Sequence, residues 1–488
     1  MKISRCSLII LTFIFFIGLS IIPSTGGILE NKPSIKTSNE AVLYVGGIEP
    51  GNYSTIQSAI DDANPGDTVF VYDEGSPYYE NVRVHKRINL IGESRNTTVI
   101  KGVDDISSTV SIAYDAYNVL VSGFTITGGS RGIGMTVDSN IIQNNKIIFN
   151  TYGIKIHDDS DNNVINNNII VHNFEVGVYD DCQDSNNTVT WNVISGNGDP
   201  DYKEGGLYKH QSGGSYHHND FDLNWGYNAF TDWSSWGVWD DGSEGNYWDS
   251  WESNPGYPDV YIIEGNFQDQ IDYHPSATPY FNYPIVRIHK YSYEADPNEL
   301  IHFLSHINKP ISSLSFFWDF GDGTTSSNKD PDHSYSKSGI YQINITVTDD
   351  KGISDTDRSI AYIGLPPDKP TIKGPTMGRL RVWHKYSINA TDPDSKYLHY
   401  YIDWGDGWYD NIGPYPTGET VKIRHDWLYE GNYTIRVKAI DETLRESEWA
   451  FLNVQMIPRN RVSTYSFFLW FFEQFPLLER LLTLFRVI

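Results

Sequence analysis

Asp158-Asp159 and Asp180-Asp181 are two acidic pairs whose type and spacing suggest chemistry. The pairs lie 22 residues apart, close to one coil of a stacked β structure, in which neighbouring strands run about 4.8 Å apart. Two carboxylates at that distance repel by about 3 kcal/mol at an effective dielectric near 20, so they must be solvated, share protons or bridge a cation. A hard, oxygen-seeking ion such as calcium suits such a ligand set. Carboxylates on a β wall also suit a polysaccharide hydrolase, in which one acid protonates the leaving oxygen and another activates water. Plain acidic corner residues are the third reading. A uronan lyase is disfavoured, because it needs a basic residue beside the substrate carboxylate. Between Gly132 and Val286 there is no Arg, and the only Lys residues are Lys146, Lys155, Lys203 and Lys209.

Imidazole and thiolate groups suit copper, and the candidates are His210, His217, His218 and Cys182. Adjacent residues on a strand face opposite ways, so His217 and His218 can hold one ion only in a turn. With 4 Met in the chain, handling of Cu(I) is poorly supported. Trp225, Trp233, Trp236 and Trp239 crowd one stretch and offer either a stacking platform for a glycan or a plug over an open end of the core. Asp319, Asp322, Asp403 and Asp406 are read as turn-fixing residues rather than calcium ligands.

Composition bounds the function. The 488 residues suggest about three domains. Acidic side chains number 62 against 36 basic ones, a net charge of -26 that repels nucleic acid and polyuronates. Residues 1 to 28 read as a secretory signal, with Lys2 and Arg5 before an apolar run from Leu8 to Ile22. Acceptor motifs for N-glycosylation occur at Asn52, Asn96, Asn186, Asn344, Asn389 and Asn432.

The elements that position these residues are almost all β. Ser54 to Gln57 reads as a capping box opening a short amphipathic helix on Ile56, Ile60 and Ala63. From Asn118 onward, short apolar fragments recur: Gly153-Ile154-Lys155-Ile156 returns as Gly177-Val178-Tyr179, and Asn168-Ile169-Ile170 as Asn192-Val193-Ile194, each 24 residues on. Repeats of this length predict a right-handed parallel β-helix over 40–280, with asparagines at the corners forming side-chain ladders and the helix covering the open first coil. This stretch resembles the NosD-like and carbohydrate-binding group of β-helix proteins, most closely at Trp239 to Asp249 and Asp269 to Pro275. The resemblance implies the fold, and the family name implies copper delivery.

Asp319-Phe320-Gly321-Asp322-Gly323 and Asp403-Trp404-Gly405-Asp406-Gly407 begin a duplicated module. His333, Gly339, Tyr341, Ile343, Val347 and Asp349 are matched with His425, Gly431, Tyr433, Ile435, Val437 and Asp441. Period-two alternation places Tyr341, Ile343, Ile345 and Val347 on a core face. Residues 284–364 and 365–457 resemble polycystic kidney disease (PKD) domains, immunoglobulin-like sandwiches that in secreted proteins imply spacing and contact rather than catalysis. The apolar but interrupted segment 462–488 is read as an interfacial or docking tail.

The sequence thus predicts an all-β, secreted, surface-attached, non-catalytic protein that contacts cell-surface glycans or proteins. A hydrolase and a copper-binding protein are the alternatives.

Overall fold

The computed structural model describes residues 40–458, apart from 158–159, 184, 200–203, 212, 233–236, 267 and 310–313. The expected signal at 1–28 and tail at 462–488 therefore lie outside the described residues.

From Val42 to Trp248 the chain winds into three parallel sheets of eight, seven and eight strands. Each strand pairs with its equivalent one coil away: Ile141–Gln143 with Val164–Asn166, Lys146–Ile148 with Ile169–Val171, and Tyr152–Ile156 with Val176–Asp180. This is a parallel β-helix. Inward residues stay in register along each wall, as in the row Ile126, Ile147, Ile170, Ile194 and Phe221. Such rows form a continuous core that no single coil could bury alone.

The corners carry three asparagine ladders. In one, the backbone N–H and side-chain amide of Asn145 both donate to Asn168 Oδ1, at 3.0 and 3.1 Å. The pattern repeats from Asn168 to Asn192, Asn219 and Asn246. Parallel rows run through Asn140, Asn163 and Asn187, and through Asn150, Asn173, Asn197 and Asn224. Asn144, Asn162 and Asn167, next to ladder asparagines, take positive φ, a conformation Asn tolerates.

The helix Ile56–Asp62 buries Ile56, Ala59 and Ile60 beneath the first coil. Its start corrects the expected capping box. Thr55, rather than Ser54, caps it by accepting from Ser58 N–H, and Glu80 accepts from the N–H groups of Ile56 and Gln57. The Gln57 side chain instead pairs with the backbone of Arg83.

The far end is closed by aromatics. Phe221, Trp248 and Tyr261 stack with centroids 4.5 and 4.2 Å apart, and Tyr216 leans on Trp239 at 4.9 Å. Asp272 ends the longest ladder, accepting from Asn246 N–H at 2.8 Å and Trp248 Nε1 at 2.9 Å.

Two β-sandwiches follow. The first sets a five-stranded sheet, in the order Ser292–Ala295, Ser354–Ile363, Gly339–Asp349, Leu314–Asp319 and Thr325–Ser326, over two short ladders. The second sets a five-stranded sheet against a three-stranded one. In both, alternate residues of the central strand enter the core: Ile343, Ile345 and Val347 in the first, Ile435, Val437 and Ala439 in the second. Strand pairing corrects one match. Trp318 faces Ile345 and Ile402 faces Val437, so Val437 corresponds to Ile345, while Val347 corresponds to Ala439. Gly321 and Gly405 both have φ of 78°, and a Cβ would lie 2.4 Å from Gln342 O and 2.8 Å from Thr434 O. Glycine is required there in both copies.

The modules are tied by buried polar bridges. His172, at a β-helix corner, sits between two aspartates of the first sandwich, with Nε2 2.8 Å from Asp355 Oδ2 and Nδ1 3.4 Å from Asp357 Oδ1. Arg358 lies over Phe149, and Arg287 lies over Trp225 while donating to Leu223 O. Arg445 of the second sandwich donates to Ala295 O, Gly364 O and Asp296 of the first.

Candidate functional site

The expected carboxylate row does not form around Asp180. The coil before Asp180 is 24 residues long rather than 22 and the one after it 29, so Asp180 pairs with Ile156 on one side and Lys209 on the other. Asp180 ends the strand Val176–Asp180 with its side chain inward and fully buried, 3.3 Å from Lys209 Nζ and accepting from Tyr216 Oη at 2.6 Å. Lys209 is itself fully buried and also donates to Cys182 O. A buried carboxylate matched by a buried ammonium and a phenol is a structural cluster, closed to solvent among the described residues. Burial, with Asp180 beside it, also drives the Tyr216 phenol well above its ordinary value. Asp181 faces outward and pairs with His210 Nδ1 at 2.7 Å. Asp158 and Asp159 lie outside the described residues.

The copper candidates divide. His210 belongs to the Asp181 and Asp232 pairings. Cys182 is sealed: its Sγ donates to His157 O and Ser160 O, and burial pushes the thiol up to about 12. A thiol so held is a poor thiolate ligand. His217 and His218 do converge. His217 closes the strand Gly213–His217 and His218 takes φ of 59°, so the chain turns and brings the two Nδ1 atoms to 2.6 Å. Burial and the adjacent His218 hold His217 below its ordinary value, which favours the neutral imidazole that binds metals. Trp191 stacks on His218 at 4.3 Å, and Glu244 lies 3.3 Å from its Nε2.

Neither of the two described candidate tryptophans offers an open platform. Trp239 is 1% exposed and belongs to the end plug, which corrects its assignment to glycan binding. Trp225 is half-buried beneath the Arg287 guanidinium, 4.0 Å from its ring centre. Trp233 and Trp236 lie outside the described residues.

Gly321, Thr324 and His333 are held by Asp319 and Asp322, and Gly405, Trp408 and His425 by Asp403 and Asp406. These four aspartates therefore fix turns. Among the described residues, one group of three carboxylates converges, that of Asp392, Asp394 and Asp441, with ligand atoms within 4.8 Å of one another. Asp392 Oδ2 and Asp394 Oδ1 lack hydrogen-bond partners, and burial pushes Asp392 up to about 6. Sequence reading missed it, although Asp392-Pro393-Asp394 was visible. It also missed Asp222, which burial and the neighbouring Asp249 raise to about 7 in the last coils.

Of the glycosylation motifs, Asn96, Asn186 and Asn432 are exposed and Asn344 is half-buried. The amides of Asn52 and Asn389 donate to Gly46 O and Gly418 O, which occupies the atom a glycan would modify.

Residues 52–253 match the family model described as periplasmic copper-binding protein (NosD), and residues 284–363 match the PKD domain model. A cell surface glycoprotein of Methanothermus fervidus is 36% identical over 98 residues, covering 19% of this chain and 16% of that protein. The pre-pro-metalloprotease PrtV of Vibrio cholerae is 37% identical over 83 residues, covering 17% of this chain and 9% of that protein. The chain thus spans less than a fifth of either relative. The solved PKD domain of an M14-like peptidase from Thermoplasmatales archaeon SCGC AB-540-F20 is 41% identical, covering 20% of this chain and 99% of that one, with a TM-score of 0.19. The chain therefore joins a β-helix matching the NosD family to a PKD domain and a second sandwich duplicated from it.

Proposed function

We propose that this is an extracellular, surface-held binding protein that contacts envelope glycans or proteins without cleaving them. The observation that carries this reading is the way its charged groups are used. Asp180, Lys209, His172, Asp355 and Asp357 are buried and matched to one another, joining coils and modules rather than opening on a cleft. Similarity over 98 residues to a cell surface glycoprotein supports the location. No helix among the described residues is long and apolar enough to cross a membrane.

The test is to incubate the full chain with the envelope fraction of the producing cells while assaying new reducing ends. Retention without cleavage is expected. Release of reducing ends, or no retention, overturns the reading.

A second reading, copper binding, is favoured by the converging Nδ1 atoms of His217 and His218. It predicts one copper ion per chain by calorimetry, lost in His217→Ala/His218→Ala. Absence of uptake by the unmodified chain removes it.

A further inference from the structure

The two sandwiches form an internal control, because one scaffold is built twice with different rims. In both, a His packs on an aromatic ring and pairs with the second Asp of the turn. His333 stacks on Phe320 at 4.1 Å and pairs with Asp322 at 3.0 Å, while His425 stacks on Trp404 at 4.5 Å and pairs with Asp406 at 2.8 Å. A second aromatic meets each His edge-on, Tyr335 at 4.6 Å and Trp427 at 4.7 Å. The Tyr341 hydroxyl donates to Lys337 O and that of Tyr433 to Tyr429 O, both at 2.9 Å, which fixes the equivalence of Lys337 and Tyr429.

On this shared frame the exposed residues diverge. Thr324, Thr325, Ser336 and Lys337 of the first copy are replaced by Trp408, Tyr409, Leu428 and Tyr429 in the second. Trp408, Tyr409 and Tyr429 are 68%, 65% and 76% exposed. Since the first copy folds with small or charged residues at these places, the scaffold does not need the aromatics. Exposing three rings in one patch is unfavourable in water and marks a contact surface.

These residues surround an open cleft of about 410 Å³, within the range of roughly 300 to 1,000 Å³ that small-molecule sites occupy. Trp383 forms one wall, with the Arg424 guanidinium 5.0 Å from its ring centre. Asp406, Asp410 and Asp426 supply carboxylates. Asp406 already accepts from Trp408 N–H and His425, and Asp410 from Trp404 Nε1. Each carboxylate still has lone pairs to offer.

Flat apolar faces beside acceptor-rich edges match a sugar ring, which presents C–H groups on one face and hydroxyl donors around its edge. A proline-rich peptide fits less well, since it brings carbonyl acceptors to a rim already dominated by acceptors. Three carboxylates against one guanidinium also disfavour uronates.

We propose that the second sandwich binds a neutral saccharide here, stacked on Trp408 and Tyr429 with its hydroxyls donating to Asp406, Asp410 and Asp426. This rests on the binding-protein reading and names the site that reading lacks.

The experiment uses the full chain and two substitutions that install the first copy's residues, Trp408→Thr and Tyr429→Lys, so that folding is not at risk from an untried residue. Binding of chitohexaose, cellohexaose and maltohexaose is measured by calorimetry and tryptophan quenching, with polygalacturonate and a proline-rich peptide alongside. The expected result is saturable binding of at least one neutral hexasaccharide, weakened about tenfold or more in each variant, with unchanged near-UV circular dichroism. Three outcomes overturn the site: no neutral hexasaccharide binds, the variants bind it equally well, or only the peptide or polygalacturonate binds. If envelope retention persists unchanged in the double variant, the saccharide site fails while the binding-protein reading stands. If retention is absent in the unmodified chain but hexasaccharide binding is lost in the variants, the reverse holds.

Discussion

Each corner of the β-helix holds a row of buried asparagines, whereas the buried polar residues of the two sandwiches include no asparagine. The β-helix satisfies its corners with side chains repeated once per coil, and the sandwiches satisfy their turns with single aspartates, such as Asp322 and Asp406 at the rim and Asp349 and Asp441 within. A defect in a ladder therefore strands donors and acceptors on two adjoining coils. A defect in a sandwich core leaves only a cavity. Polar networks in a low-dielectric interior make the first kind of defect the costlier.

That contrast can be broken by substitution. Asn168→Ala removes two hydrogen bonds accepted from Asn145 and the two side-chain N–H donors shared among Ile142 O, Asn166 O and Asn192 Oδ1. At about 1 kcal/mol each, it should destabilise the β-helix by about 4 kcal/mol in urea unfolding, while the outward Asn166→Ala changes little. Equal effects would show that the ladder is incidental.

His172→Ala should come next. It leaves Asp355 and Asp357 buried without their partner, at a cost of about 3 to 5 kcal/mol to the junction. The pH dependence has a definite sign. Burial opposes the charge on His172, but Asp355 and Asp357 outweigh it and hold His172 above its ordinary value. Other charges near the site are Lys146, Arg287 and Arg358, with the phenols of Tyr283 and Tyr291. The stabilisation is complete below the unfolded histidine value of about 6.5 and is lost as pH rises through the higher folded value. Protease cleavage between the β-helix and the first sandwich should accelerate with rising pH in the wild type, and should lose that dependence in the variant.

Ile345→Val gives the first sandwich the residue its duplicate carries as Val437, and should cost about 1 kcal/mol in that domain alone. The smallest effect belongs to Asp392→Asn. The carboxylate's raised value means its charge destabilises the fold above about 6 and is relieved as pH falls toward its ordinary range. Because the group is partly solvated, neutralising it should raise stability at pH 7 by at most about 1 kcal/mol, with no gain at pH 4.

Periodic features were legible in the sequence and contacts between modules were not. Recurrence of Gly153 to Ile156 and Asn168 to Ile170 exposed the coils, and the duplicated Gly-Asp-Gly turns exposed the sandwiches. The same periodicity misled at Asp180: a 22-residue spacing was applied where the preceding coil had lengthened to 24, so an inward residue was read as part of an outward row. His172 meets Asp355 across 183 residues of sequence, and no repeat or motif announces such a contact. The convergence of His217 and His218 depended on one backbone angle. The aromatic rim of the second sandwich was in plain view, but its meaning appears only when strand pairing aligns Tyr429 with Lys337.

Asp272 gives the β-helix a direction and a stop. Every asparagine in the longest row both gives and takes protons, so another identical coil, from this chain or a neighbouring molecule, could in principle be added without limit. A carboxylate only takes. By ending the row with a residue that has no N–H to pass on, the chain offers a further coil no donor with which to extend the ladder.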